Sequence, residues 1–427
     1  ALHQRKLTLL QRLKQTYMQG MFPQNWENIP SLRLDGFSEP WEQRKLGELS
    51  EIVRGASPRP IQDPKWFDSN SNVGWLRISD VTAQNGRIYY LEQKISKVGQ
   101  EKTRVLTEPH LLLSIAATVG KPVVNYVNTG VHDGFLIFLN PLFDREYMFQ
   151  WLEMFRPKWQ KYGQPGSQVN LNSELVRNQE IMIPSLQEQI QIGTFFKKLD
   201  DTIALHQRKL EKSKALKSAY LSEMFPAEGE RKPKRRFAGF TDDWEQRKLE
   251  EDISVVGGAT PSKSNPEYWN GPIVWLSSQE IKEKYVSKGT YTITKKAVDD
   301  NTTKMVKAGT PLIVSRSGIL ARLFPISIPT TDVAINQDIK ALIFDLNIIN
   351  TNFFVAQLKK NEDFILRSIV KTGTTVQSIN MPDFYKLQLS FPSMNEQEKV
   401  GKFFQRLDDT IALHQRKVTL LKRLKEA

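Results

Sequence analysis

The chain has 427 residues, of which 39% are hydrophobic, so its length suits two domains with real cores and excludes wholesale disorder. It contains no cysteine, which excludes disulfides, thiolate zinc sites and a thiol nucleophile, and the absence of a signal peptide or a long apolar run predicts a cytoplasmic protein with no membrane partner. A formal net charge of +13 favours a polyanionic partner, most often nucleic acid, over a protein that is merely basic.

Internal repeats dominate the organisation of the chain. The hexapeptide Ala-Leu-His-Gln-Arg-Lys begins at residues 1, 204 and 412. The preceding segment, which contains Leu-Asp-Asp, occurs at 195–203 and again at 403–411, and Trp-Glu-Gln-Arg-Lys-Leu occurs at 41–46 and 244–249. The residues between these repeats have diverged. A fixed frame around two variable inserts indicates a protein that presents two different surfaces in one geometry.

The repeats divide the chain into six predicted segments. In order they are a half copy of the repeated helix (1–26), a first insert (27–185), a central helix (186–226), a basic linker (227–238), a second insert (239–393) and a C-terminal helix (394–427). Because residues 1–16 nearly duplicate 412–427, we expect the half helix to pack beside the long helices.

Each insert contains short apolar runs broken by Gly, Pro and Asn, a pattern that predicts a mixed α/β domain with a curved sheet. The runs occur at 74–79, 111–124 and 135–139 in the first insert and at 274–278, 311–328 and 339–344 in the second. Short helices are predicted at 146–155 and 352–360.

The central helix is predicted to run from about Gln187 to about Met224, where Pro226 ends it, as a rod of roughly 50 Å. Apolar residues recur on it at spacings of three and four, which is typical of a helix-pair seam. His206 and His414 lie on this seam, where a polar side chain sets register more often than it acts as a base. The seam residues are Leu199, Ile203, His206 and Leu210 in the central helix and Leu407, Ile411, His414 and Val418 in the C-terminal helix.

No catalytic motif is found in the sequence. It has neither a phosphate-binding Gly-x-x-x-x-Gly-Lys-Ser/Thr loop nor a Gly-x-Gly-x-x-Gly turn, and no recurring carboxylate cluster indicates a metal site. The step at 140–143, Asn-Pro-Leu-Phe, is similar to the base-holding step of adenine methyltransferases, but it lacks the second proline and a glycine-rich cofactor strand upstream. We therefore predict no active site and no cofactor in this chain.

The sequence supports DNA-binding residues better than it supports catalytic ones. The segments 166–172 and 373–380 match each other and are rich in hydroxyl and amide side chains, which can reach phosphates or pair with adenine; an ordinary polar turn ahead of a strand would look the same. The basic linker segment 231–236 contacts phosphates or is simply solvated. The predicted DNA contacts are Arg54, Arg59, Lys65, Lys121, Lys161, Ser167, Gln168, Asn170 and Asn172 in the first insert, and Lys263, Arg316, Arg322, Lys371, Thr374, Thr375, Gln377 and Asn380 in the second.

Taken as a whole, the chain resembles the specificity subunits of type I restriction-modification enzymes. The resemblance rests on the paired Trp-Glu-Gln-Arg-Lys-Leu starts and on two inserts that are each followed by a Glu-Gln segment, at 186–190 and 394–398, and by a helix with Leu-Asp-Asp-x-Ile. It implies an α+β fold with two mixed α/β target recognition domains in pseudo-twofold symmetry, separated by long helices that form an antiparallel coiled coil. The family's Gly-Asp-small-Leu step is altered here at 108–111 and 309–312.

The resemblance also implies the partners. Each target recognition domain would read one half of a split site in double-stranded DNA, while two modification subunits would methylate adenine with S-adenosylmethionine, and restriction subunits would use ATP and Mg²⁺. The chain itself would be non-catalytic within an adenine-specific DNA methyltransferase and ATP-dependent endonuclease. Two alternatives remain: a self-contained DNA methyltransferase or nuclease, and a helical scaffold for proteins with no role in DNA binding.

Overall fold

The computed structural model describes residues 18–23, 27–160, 171–373 and 376–426. The chain forms two compact units, 1–206 with 417–427 and 207–416. Each unit contains one α+β domain built from an insert, together with parts of the long helices. The α+β class predicted from the resemblance is confirmed.

The first domain is built on a five-stranded sheet in the order β2-β9-β6-β7-β4, with a three-stranded sheet β3-β8-β5 and a two-stranded sheet β1-β10. Both larger sheets mix parallel and antiparallel pairs. The strands are β1 (Glu42–Lys45), β2 (Glu51–Arg54), β3 (Gly74–Trp75), β4 (Arg87–Ile88), β5 (Arg104–Leu106), β6 (Leu111–Ser114), β7 (Pro122–Asn125), β8 (Thr129–Val131), β9 (Phe135–Leu139) and β10 (Glu180–Ile183).

The second domain repeats this topology. Its five-stranded sheet has the equivalent order β12-β20-β17-β18-β14, beside a four-stranded sheet β15-β13-β19-β16, a two-stranded sheet β11-β23 and a hairpin β21-β22. The strands are β11 (Glu245–Lys248), β12 (Ser254–Gly257), β13 (Trp269–Leu276), β14 (Tyr285–Val286), β15 (Tyr291–Ile293), β16 (Met305–Val306), β17 (Leu312–Val314), β18 (Ile326–Pro329), β19 (Val333–Ile335), β20 (Ile339–Ile343), β21 (Val370–Thr372), β22 (Gln377–Ile379) and β23 (Gln388–Phe391).

Two long helices dominate the helical structure: the central helix, Leu186–Glu223, and the C-terminal helix, Met394–Glu426. The other α-helices of the described residues are Met18–Met21, Leu46–Leu49, Ile78–Ala83, Lys97–Gln100, Arg145–Trp159, Ser173–Arg177, Leu249–Asp252, Lys295–Asp299, Thr351–Lys360, Glu362–Phe364 and Met381–Tyr385. Turns of 3₁₀ helix occupy Pro64–Trp66, Pro266–Tyr268 and Gly318–Ala321, and Ile365–Ile369 is a π-helical turn.

Most predicted elements lie where the apolar pattern placed them. The central helix begins and ends within one residue of its predicted limits, and the run 135–139 is strand β9. The run 74–79 is different: only Gly74–Trp75 is strand, and a helix begins at Ile78. There the Asp80 carboxylate accepts a hydrogen bond from the Arg77 backbone N–H at 2.9 Å, which caps the helix and turns the chain away from the sheet.

The repeated Trp-Glu-Gln-Arg-Lys-Leu segments close the two domains. Strand β1 pairs antiparallel with β10, and β11 pairs antiparallel with β23, so the beginning and the end of each insert meet. Beside each closing pair lies a buried aromatic cluster with equivalent members. The clusters are Phe22, Trp41, Tyr147 and Phe196 in the first domain, and Phe225, Trp244, Phe353 and Phe404 in the second.

Helix pairing is visible within the second unit. There the end of the central helix packs against the C-terminal helix: Lys217 contacts Asp408 at 2.5 Å, and the rings of Tyr220 and Phe403 lie 4.9 Å apart between centroids. Tyr220 follows Lys217 in the central helix, whereas Phe403 precedes Asp408 in the C-terminal helix. The two helices are therefore antiparallel. Of the predicted seam residues, Ile203, Leu210 and Val418 are buried, and Leu199, His206, Leu407, Ile411 and His414 are half-buried.

The described end of the predicted half helix packs on the central helix. Phe22 stacks on Phe196 with ring centroids 6.1 Å apart, and Met21 is buried in the same core. Residues 1–17 and 24–26 lie outside the described residues, so the packing of the rest of that segment stays a prediction.

Candidate nucleic-acid interface

In both domains three loops meet at the same end of the five-stranded sheet. In the first domain the N–H groups of Gly55 and Ile115 donate to the carbonyls of Phe135 and Gly134, each at 2.9 Å. We call residues 54–66, 115–121 and 132–134 the first loop edge. In the second domain Ala259 and Ser315 make equivalent bonds to Ile335 and Asp338, and we call residues 258–268, 315–322 and 336–338 the second loop edge.

Two of the predicted arginines converge on one aspartate of the first loop edge. Arg54 Nε donates to the Asp133 carbonyl at 2.6 Å, and an Arg59 terminal nitrogen lies 3.2 Å from the Asp133 carboxylate. Burial alone would raise the pKa of Asp133, but the Ser57 hydroxyl donates to it and Arg54 lies nearby, so the pKa falls below its ordinary value. The Arg59 side chain is 81% exposed, so this ion pair is weak and leaves the guanidinium able to bind an anion.

A cleft of about 690 Å³ opens beside these arginines. Its polar lining includes Gln62, Arg77 and His132, none of which we predicted as contacts. Burial lowers the pKa of His132, against the opposing charge of Asp133, so the ring is neutral at pH 7. The Arg77 guanidinium is paired with Asp80 at 3.0 Å and with Glu92 at 3.2 Å, whereas the guanidinium of Arg59 and the amide of Gln62 can pair with base edges or phosphates. The sequence contained one pattern that could have indicated this cleft: Trp75, which also lines it, is repeated as Trp275 in the second insert.

The two predicted lysines of the first loop edge have different surroundings. Lys65 is exposed, pairs with Asp63 at 2.8 Å and lies over the Trp66 ring at 4.5 Å. Lys121 is 12% exposed, and its ammonium is bound by Glu153 and by Asn85. The charge of Lys121 is therefore neutralised inside the domain, so this lysine does not belong to the candidate nucleic-acid interface.

The second loop edge brings together predicted residues that are far apart in sequence. The segment around Arg316 pairs with strand β22, since Ile379 N–H donates to Ser315 at 2.9 Å and Ser317 N–H donates to Gln377 at 3.0 Å. Arg316 and Arg322 are exposed. Arg322 directly follows the 3₁₀ turn Gly318–Ala321. The edge therefore carries two exposed guanidinium groups beside the hairpin β21-β22.

Two further predicted lysines lie in loops and strands near this edge. Lys263 is exposed in the loop 258–268 of this edge, where the Thr260 hydroxyl donates to the Gln337 side chain of the loop 336–338 at 2.7 Å. Lys371 lies on β21, where its ammonium donates to the Ser368 carbonyl at 2.9 Å. Six predicted contacts lie outside the described residues: Lys161, Ser167, Gln168, Asn170, Thr374 and Thr375.

The last residues of the two matching polar segments cap helices. The Asn172 side chain accepts a hydrogen bond from Leu175 N–H at 2.7 Å, at the start of the helix Ser173–Arg177. Asn380 accepts equivalently from Asp383 N–H at 3.2 Å, at the start of Met381–Tyr385. These contacts favour the alternative of a structural turn at both positions, because each side-chain oxygen satisfies a free helical N–H. Neither asparagine is therefore assigned to the candidate nucleic-acid interface.

Replacing Asn172 or Asn380 with alanine is expected to lower the free energy of unfolding by about 1 kcal/mol, because a helix loses its N-cap. DNA affinity should not change. Urea unfolding followed by circular dichroism, beside DNA binding, measures both quantities. Asn→Ser variants keep a capping oxygen and are the control. Weaker DNA binding at unchanged stability would restore these residues to the DNA surface.

The linker segment 231–236 is held within the second domain by carboxylates. Lys232 pairs with Asp243 at 3.2 Å, and Arg235 pairs with Glu223 at 2.6 Å. Arg236 makes two hydrogen bonds of 2.7 Å to Glu396, whose side chain is 1% exposed. Only the charge of Arg236 is neutralised by a buried partner. Lys232 and Arg235 are 60% and 57% exposed, so their ion pairs are weak and leave both side chains able to contact phosphate.

The methyltransferase-like step is a structural turn. Asn140 has a φ of 47° and begins the turn after β9, and Phe143 is 5% exposed and packs on Phe138. A side chain buried in this way cannot stack on an extruded base. Within the described ranges, no group of three or more His, Asp or Glu residues could hold a metal ion. Among the helices of the same ranges, none is both long and apolar enough to cross a membrane.

Comparisons with known proteins bear on this arrangement. The chain is 33% identical over 153 residues to the Escherichia coli EcoR124I/EcoR124II specificity subunit. This alignment covers 36% of the present chain and 38% of the Escherichia coli protein. It is 25% identical over 185 residues to the Methanocaldococcus jannaschii MjaIX specificity subunit, covering 43% of this chain and 42% of that one. The chain thus spans about two-fifths of the length of these two relatives.

A solved structure is similar over nearly the whole chain. The S subunit of a type I restriction-modification system from M. genitalium aligns with a TM-score of 0.62 at 14% identity, over 92% of this chain and 98% of that one, which shows a shared fold. The family described as the type I restriction modification DNA specificity domain matches twice, at residues 38–214 and 241–423. Because these two matches together cover well over half of the sequence, the chain belongs to that family.

Proposed function

We propose that this chain is the specificity subunit of a type I restriction-modification complex, in which each domain reads one half of a bipartite site in double-stranded DNA. One observation carries the proposal: the same sheet order occurs twice, and the two copies differ in the loops at the same edge. A fixed scaffold with variable basic loops is the arrangement expected of two readers with different base preferences.

The long helices would set the distance between the half-sites. The central helix contains 38 residues, about 57 Å at 1.5 Å per residue. A rod of that length would allow the half-sites to lie at most about 1.7 turns of duplex apart, at roughly 34 Å per turn. The repeated outward faces of these helices would bind two modification subunits, and restriction subunits would join that assembly.

Catalysis would belong to those partners. The modification subunits would use S-adenosylmethionine to methylate adenine, and the restriction subunits would use ATP and Mg²⁺. The buried position of Phe143 argues against the alternative of a self-contained methyltransferase. The exposed arginines of both loop edges argue against a scaffold with no role in DNA binding.

The test is selection of methylated duplexes from a random-sequence DNA pool by this chain mixed with a cognate modification subunit. Each component alone is the control. We expect adenine methylation in a split motif only with the mixture, at a rate that falls steeply with salt because phosphate contacts release counterions. Methylation by this chain alone would establish an active site of its own. Failure of the mixture to bind or methylate any duplex would refute the proposal.

A further inference from the structure

The repeated Leu-Asp-Asp motif forms similar contacts in the two copies. Asp200 of the central helix is 13% exposed, lies 3.5 Å from Arg87 and accepts a hydrogen bond from Gln150 at 2.9 Å. Arg87 opens β4, the edge strand of the five-stranded sheet, and is also paired with Glu146 at 2.7 Å. The first aspartate of the motif therefore contacts both the sheet and a helix of the first domain.

The second copy makes a similar contact with different partners. Asp408 is 18% exposed and lies 2.9 Å from Lys284 and 2.5 Å from Lys217. Lys284 directly precedes β14, which occupies the place of β4 in the equivalent sheet order. The two cations are neighbours rather than equivalents in the sheet register, because Val124 N–H donates to Gly86 and Ile328 N–H donates to Lys284. Lys284 therefore aligns with Gly86, one residue before Arg87. In both copies a cation at the start of this edge strand pairs with the first aspartate of the motif.

A second contact lies twelve residues earlier on each helix. Glu188 is 1% exposed and accepts two hydrogen bonds from Arg33, at 2.9 and 2.8 Å, as Glu396 does from Arg236. Twelve residues of helix span roughly 18 Å. One contact would allow a domain to tilt about it, whereas two contacts at this separation along the helix oppose that tilting.

We propose that Asp200 and Asp408 are positioning residues that, together with Glu188 and Glu396, join each domain rigidly to its long helix. The rigidity belongs to each unit by itself. The consequence for DNA rests on the function proposed above: a rigid joint makes the separation of the half-sites a fixed property of the protein. A loose joint would let one protein accept several spacer lengths.

Rigidity is tested directly by distances between spin labels, since the chain has no native cysteine. Labels are placed on the exposed positions Lys102→Cys, in the first domain, and Lys198→Cys, on the central helix. We expect a narrow distance distribution that becomes at least twice as broad in Asp200→Ala. The matched control is Asp201→Ala, because that neighbour is 57% exposed and, among the residues that the structure describes, forms its ion pair with Lys197 on its own helix. Equal widths in the two variants would overturn the proposal.

If Asp200→Ala does not fold, Asp200→Asn is used instead, because asparagine keeps the size of the side chain and removes the charge. A broader distance distribution than in Asp201→Ala would again support the proposal, and equal widths would overturn it. Circular dichroism verifies folding of each variant before labelling. Arg87 keeps its bond to Glu146 in both variants, so neither leaves a buried cation without a partner.

The DNA consequence is tested by repeating the random-pool selection with an Asp200→Ala, Asp408→Ala chain. We expect the same half-sites as for the unchanged chain but several spacer lengths, with methylation of sites one base pair longer rising at least tenfold relative to the preferred spacer. A single unaltered spacer would overturn this part of the inference. Absence of any bipartite motif with the unchanged chain would instead refute the proposed function and leave the label result to decide rigidity.

Discussion

Replacing Arg236 with alanine is expected to lower the free energy of unfolding of the second domain by about 3–5 kcal/mol. The reason is that Glu396 is 1% exposed and would lose both hydrogen bonds from the guanidinium, which leaves a charge buried without its partner. Urea unfolding followed by tryptophan fluorescence measures this decrease in stability. Arg33→Ala should have a similar effect on the first domain through Glu188.

A matched control lies in the same domain. Arg367 pairs with Asp363 at 3.7 Å, but both side chains are at least 80% exposed, so Arg367→Ala should cost less than about 1 kcal/mol. The double variant Arg236→Met, Glu396→Leu should be considerably more stable than Arg236→Ala, because it removes both charges together. A small cost for Arg236→Ala, close to that of Arg367→Ala, would contradict a buried pair at this position.

Replacing Arg316 and Arg322 together with alanine is expected to weaken DNA binding at least tenfold, which corresponds to about 1.4 kcal/mol. Both side chains are exposed on the second loop edge and supply its guanidinium groups. If both bind phosphates, the slope of log affinity against log salt should become shallower by roughly 0.9 for each phosphate that the variant no longer neutralises. The half-site read by the second domain should become less strict, while the other half-site stays the same.

The control for this variant is Lys307→Ala. Lys307 is 84% exposed and precedes β17, whereas Arg316 follows the same strand, so the two positions lie at opposite ends of it. Binding titrations over a range of salt, with duplexes carrying the selected site, compare the two variants. Equal affinities for the double arginine variant and the unchanged chain would show that the DNA surface lies elsewhere.

The two asparagine positions show that a sequence pattern can identify matching segments without identifying their role. The match between segments 166–172 and 373–380 is real, but at Asn172 and Asn380 it reflects the start of a helix in each copy. Small polar residues are favoured both at helix caps and at base contacts, since both need a short hydrogen-bonding side chain. Composition alone cannot separate the two roles, and the local backbone can.

Lys121 illustrates a second limit. Its charge made it a candidate for DNA binding, and its partner Glu153 is 32 residues away on the helix Arg145–Trp159. A sequence shows that a residue can carry a charge but not which residue neutralises it, because that depends on how strands and helices pack.

The sequence by itself determined the duplication, the two long helices, the position of several strands in each insert and the family resemblance. These follow from exact repeats, from apolar periodicity and from proline stops, which are all local along the chain. Only the tertiary structure showed that the first aspartate of each Leu-Asp-Asp motif contacts its domain. Arg87 and Asp200 are 113 residues apart, and Lys284 and Asp408 are similarly distant in a diverged insert. Pairs of this kind form where a sheet edge packs on a helix, and that packing cannot be predicted from a local sequence pattern.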